Sequence, residues 1–182
     1  LPNIYDHWIT QDLVSYIRIA MGENNRGLYF RIINRPTRYI GRECFDNHQV
    51  NIKDIYDYYE DKEWMRGRIE QLEYDLAMLS KMTPFAAIQY IRRGIGYEEF
   101  LKEYASQRKM KYEELLDIID ELHESTRAFT SYSDWFTHME EYKEELKRQA
   151  QNSKNRKIDG IHIMTMHSSK GLEFSRVFLI DV

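Results

Sequence analysis

The stretch Glu63-Trp64-Met65-Arg66-Gly67-Arg68-Ile69-Glu70-Gln71-Leu72-Glu73-Tyr74-Asp75-Leu76-Ala77-Met78-Leu79-Ser80 sets the character of the chain. Met65, Ile69, Leu72, Leu76 and Leu79 recur at alternating four- and three-residue steps. That spacing puts all five on one stripe of a helix and leaves Glu, Arg and Asp elsewhere, so the stripe predicts a packing face. Segment 131–147 repeats the pattern with Tyr132, Trp135, Met139, Tyr142 and Leu146, and Asn152-Ser153-Lys154-Asn155 reads as its polar exit.

Thr83-Pro84 has the form of an N-cap followed by proline in the first helical position. It opens a helix through Phe85, Ile88 and Ile91 that ends near Gly94. The next helix carries Phe100, Leu101 and Tyr104. A further one, from about Tyr112 to Thr126, turns Leu115, Ile118, Ile119 and Leu122 inward and Glu113, Glu114 and Asp117 outward. The pattern is helical from about residue 10 to 150, with no internal repeat or low-complexity tract.

The chain has 182 residues, 42% hydrophobic and 31% charged, which suits one or two folded domains and excludes a disordered chain. A formal net charge of -4 argues against a surface that is basic all over, so any nucleic-acid contact has to come from local patches. The lone cysteine, Cys44, excludes an internal disulfide and Cys-rich zinc patterns and predicts a reducing, cytoplasmic setting. No apolar run approaches the roughly 18 residues of a membrane span, and neither a signal peptide nor a membrane partner is expected.

The C-terminal end differs in kind. In Ile161-His162-Ile163-Met164-Thr165-Met166, apolar residues lie on both alternating faces, as in a strand covered on both sides. The run then breaks into His167-Ser168-Ser169-Lys170-Gly171-Leu172-Glu173-Phe174. Ligand sites in open α/β sheets lie beyond the carboxyl ends of strands, and the hydroxyls, imidazole and ammonium here suit phosphate oxygens. Gly171 lets a backbone approach a ligand, and Glu173 can accept hydrogen bonds from sugar hydroxyls. Val177-Phe178-Leu179-Ile180 is the only other strong strand signal. Two strands are marginal alone, so the sheet is expected to be incomplete and the chain a fragment. The polar segment 151–160 marks the domain boundary.

Near the start, Ile32-Ile33-Asn34-Arg35-Pro36-Thr37-Arg38-Tyr39-Ile40-Gly41-Arg42 links an apolar helix to a new helix predicted to begin about Glu43. A glycine-bounded turn at a helix N-terminus can grip phosphate without base specificity, and Arg38 and Arg42 would add charge.

Both ends resemble the UvrD/Rep/PcrA helicases of superfamily 1. Thr165 to Phe174 is similar to the family's motif V, close to T-x-H-x-x-K-G-L-E-F before an apolar strand. Asn34 to Gly41 is similar to an N-x-P-x-R-G-I-G segment that opens the helical 2B subdomain, preceded by Asp12-Leu13-Val14-Ser15-Tyr16-Ile17-Arg18 as its lead-in. Tyr39 stands where that pattern has its first glycine. The roughly 120 residues between the two segments match the size of the family's 2B insertion.

The resemblance implies a mainly α fold: a helical 2B-type subdomain at 1–157, then one or two strands of an incomplete RecA-like α/β domain at 158–182. It implies that Thr165 and His167 touch single-stranded DNA. Gly171 and Glu173 would sit at the ATP site, and Thr37, Arg38, Ile40, Gly41 and Arg42 would meet duplex DNA. The parent would be an ATP-dependent 3′–5′ DNA helicase using ATP and Mg²⁺, with DNA and its own remaining domains as partners. This stretch alone is expected to be inactive and to bind neither cofactor, because it has no G-x-x-x-x-G-K-[ST] phosphate loop. Two alternatives are a helicase-nuclease subunit of the AddA or RecB kind and a non-enzymatic helical interaction module.

Three other signals are set aside. Asp120-Glu121-Leu122-His123 imitates a magnesium-binding carboxylate box but has helical spacing. His138 and His123 with their neighbouring glutamates read as solvated helix faces, so no metal site is predicted. Gly94-Ile95-Gly96 reads as a turn between helices, with Arg92 and Arg93 beside it as weak candidates for a DNA contact.

Overall fold

The computed structural model describes residues 3–155 and 176–178. They form eight α-helices: α1 Trp8–Ala20, α2 Arg26–Ile32, α3 Ile52–Tyr58, α4 Glu63–Leu79, α5 Pro84–Gln89, α6 Tyr97–Arg108, α7 Tyr112–Ser125 and α8 Tyr132–Asn155. Contacts divide the chain into two units, Leu1–Glu144 and Glu145–Val182. In the second, the described residues are 176–178 and the end of α8, where Glu145 pairs with Arg148 and accepts from Gln149.

In the first unit α1 is the central element. Ile9, Leu13, Tyr16 and Ile17 are fully buried, and the helix packs on α2, α4 and α7. All five residues of the α4 stripe are buried, as the periodicity predicts. Tyr132, Trp135 and Met139 of α8 are buried too, whereas Tyr142 is exposed. In α7, Leu115, Ile119 and Leu122 face inward.

Local signals fix where the helices start. The side chains of Asn25 and Asn51 accept from Gly27 and Lys53 to cap α2 and α3, and Thr83 accepts from Ala86 with Pro84 following. Helix α5 ends at Gln89, but the chain continues as a π-helical turn over Tyr90–Ile95. Gly96 closes that turn at φ 93, a left-handed value that suits glycine, before α6 begins.

One expectation changes. The helix predicted from Glu43 is a single 3₁₀ turn, Arg42–Cys44. Asp46-Asn47-His48 favours bends over helix, and Gln49 instead bridges to Asn25. Of the second predicted strand, Val177–Ile180, only Val177 and Phe178 are described and they have no regular secondary structure; no strand occurs among the described residues. A strand needs a paired neighbour, and none of these residues supplies one. The first predicted strand and motif V, including Thr165, His167, Gly171 and Glu173, lie outside the described residues, as does most of the polar segment 151–160.

The π-helical turn places Arg92, itself buried, in a polar cluster with buried His123 and the more exposed Glu98 and Asp120. Its guanidinium reaches Glu98 at 2.5 Å, Asp120 at 2.6 Å and His123 Nδ1 at 3.2 Å. The other His123 nitrogen lies 3.0 Å from the Phe85 carbonyl, which can only accept, so Nε2 carries the proton and Nδ1 accepts from Arg92. Phe85 stacks on the imidazole at 4.1 Å and Arg127 covers Phe85 at 4.0 Å. Burial lowers the His123 pKa, the Phe85 carbonyl opposes this, and Arg92 and Arg127 lower it further. The imidazole is therefore neutral when folded but gains a proton near pH 6.5 when unfolded. Stability conferred by this site is present above that pH and is lost as the pH falls toward the folded pKa. Melting temperatures between pH 7.5 and 5.5 should fall more steeply for the wild-type chain than for His123→Gln; parallel profiles would refute the linkage.

Candidate nucleic-acid interface

The turn from Asn34 to Arg42 is shaped from behind by α1. Asp12 and Tyr16 lie one helical turn apart on that helix and face the same way. The Asp12 carboxylate is 0% exposed and accepts from Arg31 at 3.2 Å, Arg35 at 2.9 Å and the Tyr97 hydroxyl of α6 at 2.6 Å. Burial, with Asp12 alongside, pushes the Tyr97 hydroxyl well above its ordinary pKa, so it remains a donor. Arg35 also lies over the rings of Trp8 and Phe100, at 5.5 and 5.8 Å. Tyr16 donates to the Arg35 carbonyl at 2.8 Å and accepts from Arg38 Nη2 at 2.8 Å. Burial raises the Tyr16 pKa to about 12, although Arg38 pulls against it.

Asn34 holds the turn from within. Its Oδ1 accepts from the backbone N–H groups of Arg38 and Ile40 at 3.1 and 3.2 Å, and its Nδ2 donates to the Ile40 carbonyl at 2.8 Å. The amide thus grips the chain on both sides of Tyr39. The Arg35-Pro36 bond is cis. At the far end the Gly41 N–H donates to the Tyr59 hydroxyl at 2.7 Å, and the Cys44 thiol donates to the Gly41 carbonyl at 3.0 Å. Burial raises that thiol's pKa to about 11.

These bonds sort the five residues predicted to meet duplex DNA. Thr37 and Arg42 are exposed and Gly41 is half-buried. Arg38, only 7% exposed, points inward and donates through Nη1 to the carbonyls of Ile32 and Ile33 at 2.9 and 3.1 Å. It closes the C-terminal end of α2, where carbonyls lack helical partners. The Ile40 side chain is buried and both its backbone polar groups are taken by Asn34. Arg38 and Ile40 therefore stand behind the turn and support it, a different place from the one read off the sequence. Arg42 lies 5.1 Å over Phe30 and forms no ion pair among the described residues.

Tyr39, which departs from the glycine pattern, has a definite place in the turn. Its φ of 58 is left-handed, a conformation costing a side-chain-bearing residue about 1 kcal/mol. The ring is 70% exposed, and the Arg68 guanidinium of α4 lies 4.9 Å from its centroid. Nothing in local sequence pattern connects Arg68 with residue 39, because the pairing depends on how α4 packs.

The remaining signals have structural roles. Asp120 and His123 belong to the Arg92 cluster, and Arg92 is buried while Arg93 is exposed. Among the described residues no group of His, Cys, Asp and Glu could hold a metal ion, and no helix is long and apolar enough to cross a membrane. Two surface hollows share the lining residues Asn47, Gln49, Val50, Asn51 and Asp54, an uncharged-to-acidic set unsuited to phosphate.

The family described as the UvrD-like helicase C-terminal domain matches residues 3–182. A probable DNA helicase II homolog of Rickettsia felis is 27% identical over 96% of this chain and 28% of its own length. DNA helicase II of Haemophilus influenzae is 25% identical over 94% of this chain and 26% of its own. The ATP-dependent DNA helicase PcrA of Staphylococcus epidermidis is 27% identical over 98% of this chain and 26% of its own. The chain thus spans little more than a quarter of these relatives. No solved structure matches. With a family match that runs nearly end to end, the chain belongs to the UvrD-like helicase C-terminal domain family, within the UvrD/Rep/PcrA type of superfamily 1.

Proposed function

We propose that the chain is part of an ATP-dependent DNA helicase that moves 3′ to 5′ on one strand, and that its helical body is the 2B-type subdomain, holding duplex DNA ahead of the motor. The observation that carries this reading is the turn itself: Thr37 and Arg42 are exposed and Gly41 is half-buried, on a backbone pinned by Asn34, Arg38 and Tyr59. A rigid turn loses little freedom on binding, and contacts with phosphate position DNA without reading its sequence. Arg42 supplies the charge and Thr37 a hydroxyl, so the grip is sequence-tolerant. Thr165 and His167 are assigned to the tracked single strand and Gly171 and Glu173 to the nucleotide. In the parent, ATP with Mg²⁺ would supply phosphoryl-transfer energy. The residues of this chain would sense the nucleotide and transmit its state to the DNA.

Binding of a fluorescent blunt hairpin to the chain tests the duplex contact. Affinity should fall steeply with salt, and Arg42→Ala should weaken it severalfold and reduce the slope of log K against log salt by about 1, the loss of one phosphate contact. No binding at low salt, or an Arg42→Ala variant with the wild-type affinity and slope, would refute it.

A further inference from the structure

The side chain of Tyr39 has no place in a contact made by backbone and phosphate alone. The resemblance assigns it none, since the pattern there has glycine. Three observations nevertheless make it the most prepared group on this surface. Its left-handed backbone is fixed on both sides, with the N–H groups of Arg38 and Ile40 bound to one amide oxygen of Asn34. Its ring is largely exposed at the crest of the turn between Thr37 and Arg42. Arg68 lies over the ring and, among the described residues, forms no ion pair; its other contact is with the Met65 sulfur at 3.3 Å. Trp64, one turn earlier on the same face of α4, is 65% exposed.

An aromatic ring on a fixed backbone, backed by a guanidinium, is a platform for a flat π-system. Nucleobases stack on aromatic side chains with little dependence on sequence, and arginine strengthens such stacks. A base inside a duplex is already stacked on its neighbours and is inaccessible to a ring on a turn. An unpaired base beside a duplex is accessible, and Arg42 and Thr37 are placed to hold the adjoining phosphates.

We propose that Tyr39, supported by Arg68, receives an unpaired nucleobase at the boundary between duplex and single-stranded DNA. The turn then distinguishes a fork or frayed end from continuous duplex, a preference that phosphate contacts cannot give. The inference rests on the duplex-contact reading above.

The test uses the chain with two DNA hairpins, each closed by a non-nucleotide linker so that no loop base is unpaired, one blunt and one with a single-stranded tail whose first unpaired position carries 2-aminopurine. Wild type and Tyr39→Phe should bind the tailed hairpin and change the 2-aminopurine emission on binding. Tyr39→Leu and Tyr39→Gly should bind it about tenfold more weakly, with that emission change lost and blunt-hairpin affinity within about twofold of wild type. Glycine accepts the left-handed backbone, so Tyr39→Gly keeps the test valid if leucine disturbs the turn. Unchanged affinity and emission change in Tyr39→Gly would overturn the stacking role. If Arg42→Ala weakens both hairpins while the Tyr39 variants weaken neither, stacking fails and the duplex contact stands. If neither hairpin binds at low salt, the duplex reading fails and this inference fails with it.

Discussion

Arg38→Ala should lower the melting temperature by about 6–12 °C, the shift expected for a loss of about 3 kcal/mol in a chain of this size. The guanidinium is buried, bonded to the carbonyls of Ile32 and Ile33 and to the Tyr16 hydroxyl, and lies 5.7 Å from the Tyr16 ring centroid. Alanine would leave the Ile33 carbonyl and the Tyr16 hydroxyl oxygen without their donor in a site closed to water, while the Ile32 carbonyl keeps the Arg35 N–H at 2.9 Å. Lysine carries one compact ammonium and cannot reproduce the planar fork, so Arg38→Lys should recover less than half of the loss. The exposed Arg42 serves as the control: Arg42→Ala should melt within about 1 °C of wild type, as surface changes usually do. Circular dichroism melts would check all three, and an unshifted Arg38→Ala melt would show that the buried fork is dispensable. Any weakening of DNA binding in Arg38→Ala would follow from a deformed turn.

Asp12→Ala should cost about 3 kcal/mol, read as a lower midpoint in urea. Removing one member of a buried ionic cluster typically costs about 3 to 5 kcal/mol, because the partners remain without their counter-charge. The low end applies because the side chains of Arg31 and Arg35 are 38% and 36% exposed, so water recovers part of their solvation. The Tyr97 hydroxyl has no such recourse, since it is buried against the lost carboxylate. Asp12→Asn keeps the volume and an acceptor for Tyr97 and should lose about half as much. Tyr97→Phe removes a single neutral donor and should cost about 1 kcal/mol. A ranking in which Tyr97→Phe costs more than Asp12→Ala would show that the phenol, not the ionic cluster, holds α6 to α1.

The helices were legible because their signal is local. Met65, Ile69, Leu72, Leu76 and Leu79 need only the helical period to share a face, and Thr83-Pro84 announces its helix within two residues. The turn was legible as a turn, and the direction of its side chains was not. Nothing between residues 34 and 42 reveals that Arg38 faces inward, because that is set by Tyr16, about twenty residues earlier on α1. The short life of the helix expected at Glu43 and the widened turn at Tyr90–Ile95 likewise depend on what the chain meets in space: an Asn25 backbone for the first, Glu98, Asp120 and His123 for the second. Arg68 could not be found from pattern at all, since its link to Tyr39 exists only once α4 has packed. The family was carried by contiguous motifs, and these needed no fold to be read.

The grip of Asn34 on Arg38 and Ile40 has a consequence for how this segment can vary over evolutionary time. One short amide spans the loop, so the number of residues it encloses is fixed, and an inserted or deleted residue would break two or three of its bonds together. Substitution at the crest is free of that constraint. Glycine-to-tyrosine exchange at position 39 is therefore the kind of variation this architecture permits: change in what the loop displays, at constant loop length.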